Sequence, residues 1–165
     1  MQSLGRHFLT GRSIQFGAFL FLLLGITATA SAQMTPDQAA DLLLNAARRA
    51  YNERNYPFAT TKFREFLQRF GGHKDANSAR YGLALCLLEG PDKNFTEAIQ
   101  NLQPLAGNKA LADYPHVLYY MGHCQRGLGI RELAQAAAKP QEALQRRAEA
   151  NRRFEEAVRS YAGAV

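Results

Sequence analysis

Lengthwise, this chain nearly repeats itself. A small residue stands two before a cysteine at Ala84-Leu85-Cys86 and again at Gly122-His123-Cys124, 38 residues apart and in stretches that read as helices. Ala47 precedes Ala84 by 37 residues; Ala59-x3-Phe63 is echoed 39 residues on at Ala98-x3-Leu102, and returns as Ala150-x3-Phe154-x2-Ala157. Small residues at fixed helical positions let two helices approach closely, and the bulky residue four on fills the gap beside them. A period of 37 to 39 residues with two helices in each predicts an all-α fold of stacked antiparallel helix hairpins, about three of them, each burying its apolar face on its neighbour.

Local signals divide the repeats into helices. Thr35-Pro36-Asp37-Gln38 is a capping box with proline in the first turn, opening a helix to about Glu53. Asn55 opens a second that Gly71-Gly72 stops, and a third runs from about Asp75 to Gly90. Asn94-Phe95-Thr96-Glu97 is another capping box; its helix fades near Ala106-Gly107. A fifth is expected from Tyr114-Pro115 to Gly127-Leu128-Gly129. The last segment, Ile130 to Val165, carries opposite charges four apart at Glu142/Arg146, Glu149/Arg153, Arg152/Glu156 and Glu155/Arg159, with a kink or restart expected at Pro140. Its apolar residues, among them Leu144 and Val158, give it a side that wants cover, and no polar capping helix follows.

The unit Leu118-Tyr119-Tyr120-Met121-Gly122 through Gly129 resembles the tetratricopeptide repeat family, with Leu118, Met121, Gly122 and Gly129 at family-like positions. The resemblance covers roughly residues 36 to 162, with loops longer than the family's 34-residue unit allows at Gly90–Asn94 and Gly107–Pro115. The third unit departs most. Ala134 sits where the second helix should place its small residue, which predicts a long, kinked second helix there. The resemblance implies an inner surface formed by the first helix of each hairpin.

An export signal precedes the repeats. Arg6, His7 and Arg12 form a basic start, Phe16 to Ile26 an 11-residue apolar core, and Ala30-Ser31-Ala32 a cleavage site before Gln33. Residues 1–32 therefore read as a signal peptide and 33–165 as the helical domain, in a periplasmic or secreted protein. Retention as a membrane anchor is the competing reading, since Ser13 to Pro36 is uncharged. The full chain has 20 basic and 14 acidic residues; losing Arg6 and Arg12 leaves 18 basic ones. That excess is spread along the helices, which argues against nucleic acid.

No phosphate loop, nucleophile elbow or His-Glu-x-x-His appears, so neither an enzyme nor a cofactor is expected. His116 and His123 lie two turns apart with Tyr119 and Tyr120 between, too far to share a metal. Cys86 and Cys124 hold equivalent positions on neighbouring helices roughly 8–10 Å apart, wider than a disulfide spans. Buried thiols are the favoured reading, with a bridge as the alternative if superhelical twist is uneven.

A site remains on the inner surface. Val117, Met121, Cys124 and Leu128 form one stripe of the fifth helix and read as core; Tyr119, His123 and Arg126 form another. Carrying the family register across adds Tyr81 in the second unit and Asn45, Arg48 and Asn52 in the first. Aromatic and basic groups on a concave face suit an extended or helical protein partner with acidic and apolar groups. The family's clamp for a C-terminal carboxylate is not implied, because Leu44 and Arg48 stand where Lys and Asn are needed. The expectation is an exported interaction scaffold of the cell envelope. Two alternatives are the repeat region of a larger enzyme or receptor, and a structural protein that self-associates through its last helix.

In the core stripe, Gly122→Leu is expected to overpack, and Gly122→Ala to help only if the gap admits a methyl. For export, the intact mass of protein recovered from the envelope should place Gln33, or its cyclised form, at the N-terminus. Recovery of Met1 in the membrane would overturn cleavage.

Overall fold

The computed structural model of the protein describes residues 34–165. The signal-peptide reading of residues 1–32 lies outside them. The described residues form six α-helices and no strand: α1 (Pro36–Asn52), α2 (Tyr56–Phe70), α3 (Ala76–Glu89), α4 (Phe95–Ala106), α5 (Tyr114–Ala138) and α6 (Ala143–Gly163), with a 3-10 turn at Pro140–Glu142 before the last. Each helix packs mainly on the helices next to it in sequence. No helix of the described residues is long and apolar enough to cross a membrane.

Capping residues set most boundaries. The Thr35 hydroxyl accepts the Gln38 N–H at 3.2 Å, while the Gln38 side chain accepts the Thr35 N–H at 2.9 Å, so both orphan donors are satisfied. Asn94 caps α4 by accepting the Glu97 N–H at 3.1 Å. The reciprocal bond is absent because the Asn94 N–H already donates to the Leu87 carbonyl, fastening the loop to α3. The Glu97 carboxylate turns instead to Arg64 of α2, in a bidentate pair at 2.8 and 2.6 Å. Arg54 makes the tight α1–α2 turn with φ at 59°, a left-handed conformation that costs a non-glycine residue roughly 1 kcal/mol or more.

The recurring small residues lie where the repeat pattern puts them. Ala47, Ala84, Ala59, Ala98 and Ala150 are fully buried, and Phe63 and Leu102 fill the spaces beside two of them. Phe66, Leu44, Leu102, Val117, Cys86 and Cys124 are the largest fully buried side chains, and each aliphatic or aromatic one contributes about 1.5–3 kcal/mol. Met121 and Leu128 pack on that core with Val117 and Cys124. Both cysteines are free thiols, and burial pushes each up to about 12.

Three sequence expectations need correction. The fifth helix does not end at Gly127-Leu128-Gly129; α5 continues to Ala138. Glycines stop a helix only when nothing offsets their backbone entropy. Here aromatic rings occupy the place of the missing side chains: a Cβ on Gly127 would lie 2.4 Å from the Phe95 ring, and one on Gly129 2.7 Å from Phe154. Consequently Ala134 belongs to α5 and not to a second helix. The long helix is α5, with Pro140 opening the turn that separates it from α6. Finally, no gap at Gly122 admits a methyl, because a Cβ there would meet the Tyr161 ring at 2.8 Å.

That last contact sets a sign. Gly122→Ala gains at most about 1 kcal/mol of helix propensity but forces the Tyr161 ring off its seat, an overpacking that typically costs 1–3 kcal/mol. Circular-dichroism melts should show Gly122→Ala less stable than wild type, and neutral or better when combined with Tyr161→Leu. A single variant melting at or above wild type would refute the seat.

Candidate partner-binding face

The first helices bring most of the expected residues into adjoining positions. Arg48 and Asn52 of α1 and Tyr81 of α3 line one recess of about 260 Å³, with Tyr51, Phe63 and Ser78. Arg48 donates to the Ser78 hydroxyl at 2.9 Å across the two helices. Tyr81 then meets Tyr120 of α5 edge to face at 6.0 Å, Tyr120 meets Tyr119 at 5.3 Å, and Tyr119 meets Tyr161 of α6 at 5.7 Å. These separations suit aromatic pairs. A connected arc of four tyrosines thus runs across α3, α5 and α6, next to the Arg48 recess.

Asn45 falls elsewhere. It lines a groove between α1 and α2 with Leu42, Arg49 and Phe58. Helix spacing alone does not separate it from Arg48, three residues on; the groove it lines is the one on the Leu42 and Arg49 side.

Several residues of the face escaped the sequence reading. Glu89, at the end of α3, accepts from both Tyr51 and Tyr56 hydroxyls at 2.8 Å. One carboxylate thereby ties α1, α2 and α3 together. Burial first, and then the Glu89 hydrogen bond, raises Tyr51 above its ordinary range. Burial likewise lifts Tyr81 to about 12, with Tyr120 and Asp113 adding to it, so these phenols stay neutral donors at physiological pH. The usable signal was the repeat period, since Tyr51 and Glu89 are 38 residues apart.

The stripe on α5 is cationic at its middle. Partial burial lowers His123 below the ordinary histidine value, with Arg126 and Lys93 pushing the same way. Lys93 comes from the α3–α4 loop, whose carbonyl accepts from Arg131 of α5. Neither Arg126 nor Lys93 forms an ion pair among the described residues.

A second cluster joins the start of α1 to the α2–α3 loop. Asp41, His73 and Asp75 offer ligand atoms all within 4.8 Å of one another. The Asp75 N–H donates to His73 Nδ1 at 3.2 Å, which places the neutral ring's proton on Nε2, 3.7 Å from Asp37. A cation on Nε2 would need that proton moved to Nδ1, breaking the loop's hydrogen bond. The arrangement is better suited to fastening the loop than to holding a metal.

The His123 environment has a measurable sign. A depressed native pKa means that the unfolded chain binds the proton more tightly, so this residue disfavours folding as pH falls through about 6.5. An NMR titration should place His123 below about 6.5, and Arg126→Ala should move it upward. No upward movement would remove Arg126 from its surroundings.

Comparison with protein-family models, curated proteins and solved structures finds no match to the chain.

Proposed function

We propose that the protein is an exported, non-catalytic scaffold of the cell envelope, built as three tetratricopeptide-like hairpins, whose inner face holds a protein partner. The hairpins are α1–α2, α3–α4 and α5–α6. The observation that carries this reading is the tyrosine arc Tyr81–Tyr120–Tyr119–Tyr161 beside the Arg48 recess and beside Arg126 and Lys93, which pair with no carboxylate among the described residues. Tyrosine and arginine concentrate binding energy where they line a preformed surface. They do so at small entropic cost, since a tyrosine fixes few rotors for its contact area. Recesses this shallow suit a protein surface better than an enclosed small molecule.

Arg48, Asn52 and Tyr119 are exposed, so replacing all three by alanine should leave the helical circular dichroism and most of the melting temperature intact. If the inner face holds the partner, crosslinking capture from the envelope fraction should weaken by at least about 2 kcal/mol, roughly thirty-fold. The matched control is Glu155→Ala with Arg159→Ala, an exposed pair 4.0 Å apart of little energetic weight. Glu149/Arg153 is unsuitable as a control because Arg153 also donates to the buried Gln125 at 3.1 Å. Loss in the control with retention in the triple variant would move the binding face to α6.

A further inference from the structure

Because α5 passes through its glycines without a break, the inner-face stripe does not stop at Arg126. Tyr119, His123, Arg126, Ile130, Leu133 and Ala137 follow one another at intervals of four, three, four, three and four residues, the spacing of a helix-pairing seam. Its length is about 27 Å at 1.5 Å per residue. None of the six is buried: Tyr119 is 49 % exposed, Ile130 50 % and Leu133 42 %. Arg131 reaches back to the Lys93 carbonyl ahead of α4. Beyond it α6 packs on the side of Glu132: Arg146 pairs with Glu132 at 2.9 Å, and Ala136 is buried.

The seam is divided chemically. One half is aromatic and cationic, with Lys93 acting on His123 from the side; the other half is aliphatic. Glu89 is engaged by Tyr51 and Tyr56, and Glu132 by Arg146. A second copy of the chain would bring cation toward cation, whereas a partner with carboxylates would find Arg126 and Lys93 free. We propose that this seam of α5 docks an amphipathic helix from another protein, one that lays acidic side chains along His123 and Arg126 and leucine-like side chains along Ile130, Leu133 and Ala137. The inference deepens the partner-holding reading above and rests on it.

The probe is a synthetic helical peptide with leucines along one half of its contact stripe and glutamates along the other, compared with a twin carrying lysine for glutamate. Fluorescence anisotropy on the full-length protein should favour the acidic peptide by at least about tenfold. Arg126→Glu should reverse the preference, and Ile130→Asn with Leu133→Asn should weaken both peptides without changing the helical circular dichroism. Equal or absent binding of the two peptides, or binding indifferent to Ile130 and Leu133, overturns the proposal. A dimer in sedimentation that Ile130→Asn with Leu133→Asn dissolves would make a second copy the occupant and overturn it as well. The two readings fail separately. Envelope capture lost in the Arg48, Asn52 and Tyr119 variant but kept in the Ile130 and Leu133 variant upholds the inner face and overturns the seam.

Discussion

Aromatic rings seated on glycine hold this fold together at its helix crossings. Phe63 of α2 lies over Gly82 of α3, Phe95 of α4 over Gly127, and Phe154 and Tyr161 of α6 over Gly129 and Gly122 of α5. Every one of these contacts is closer than a side chain on the glycine would permit. The glycine gives up roughly 1 kcal/mol of helix propensity, and the ring recovers this by burying its face against bare backbone, where dispersion contacts are dense. Because the rings sit between α2 and α3, α4 and α5, and α5 and α6, they set both the distance and the rotation of those three pairs. The positions of Tyr81, Tyr119 and Arg126 follow from that rotation.

Polar ties act on top of this packing and fix which helix ends meet. Arg64 with Glu97 joins α2 to α4, Arg48 with Ser78 joins α1 to α3, and Glu89 gathers α1 and α2 onto the end of α3. These groups are largely exposed, where ion pairs contribute little to stability. Their effect is on geometry. They hold neighbouring helices in register while Arg48 and Tyr119 stay exposed.

Much of the architecture was legible because its causes are local or periodic. The alanines at 47, 59, 84, 98 and 150, the caps at Thr35 and Asn94, and the restart at Pro140 all carry their meaning within one turn or one repeat. The end of α5 was not legible. Gly127-Leu128-Gly129 reads as a stop, and what cancels it is Phe95 and Phe154, far away in sequence and brought near only by folding. Arg48, Asn52 and Tyr81 line one recess, while Asn45 lines the groove between α1 and α2 with Arg49. Tyr51 with Glu89, and Lys93 with Arg131, are each 38 residues apart. The period that suggests the hairpins therefore also spaces groups that meet between units, Tyr51 of α1 on Glu89 of α3 and Arg131 of α5 on the Lys93 carbonyl, a use of the repeat that composition and local spacing do not reveal.

The arrangement of α6 sets how the molecule comes apart. Apart from the 3-10 turn that leads into it, this helix docks on α5, and its far side, with Leu144 and Val158, faces solvent. In a linear array of neighbour contacts, an end element opens at the cost of one interface while the interior keeps two. Detachment of α6 would leave the Arg48 recess and the Tyr81–Tyr120 contact standing but remove Tyr161 from the arc. α1 is the other end element, docked on α2 and more lightly on α3, so the recess and the arc each lean on a terminal helix, and the middle of the array, α3 to α5, opens last.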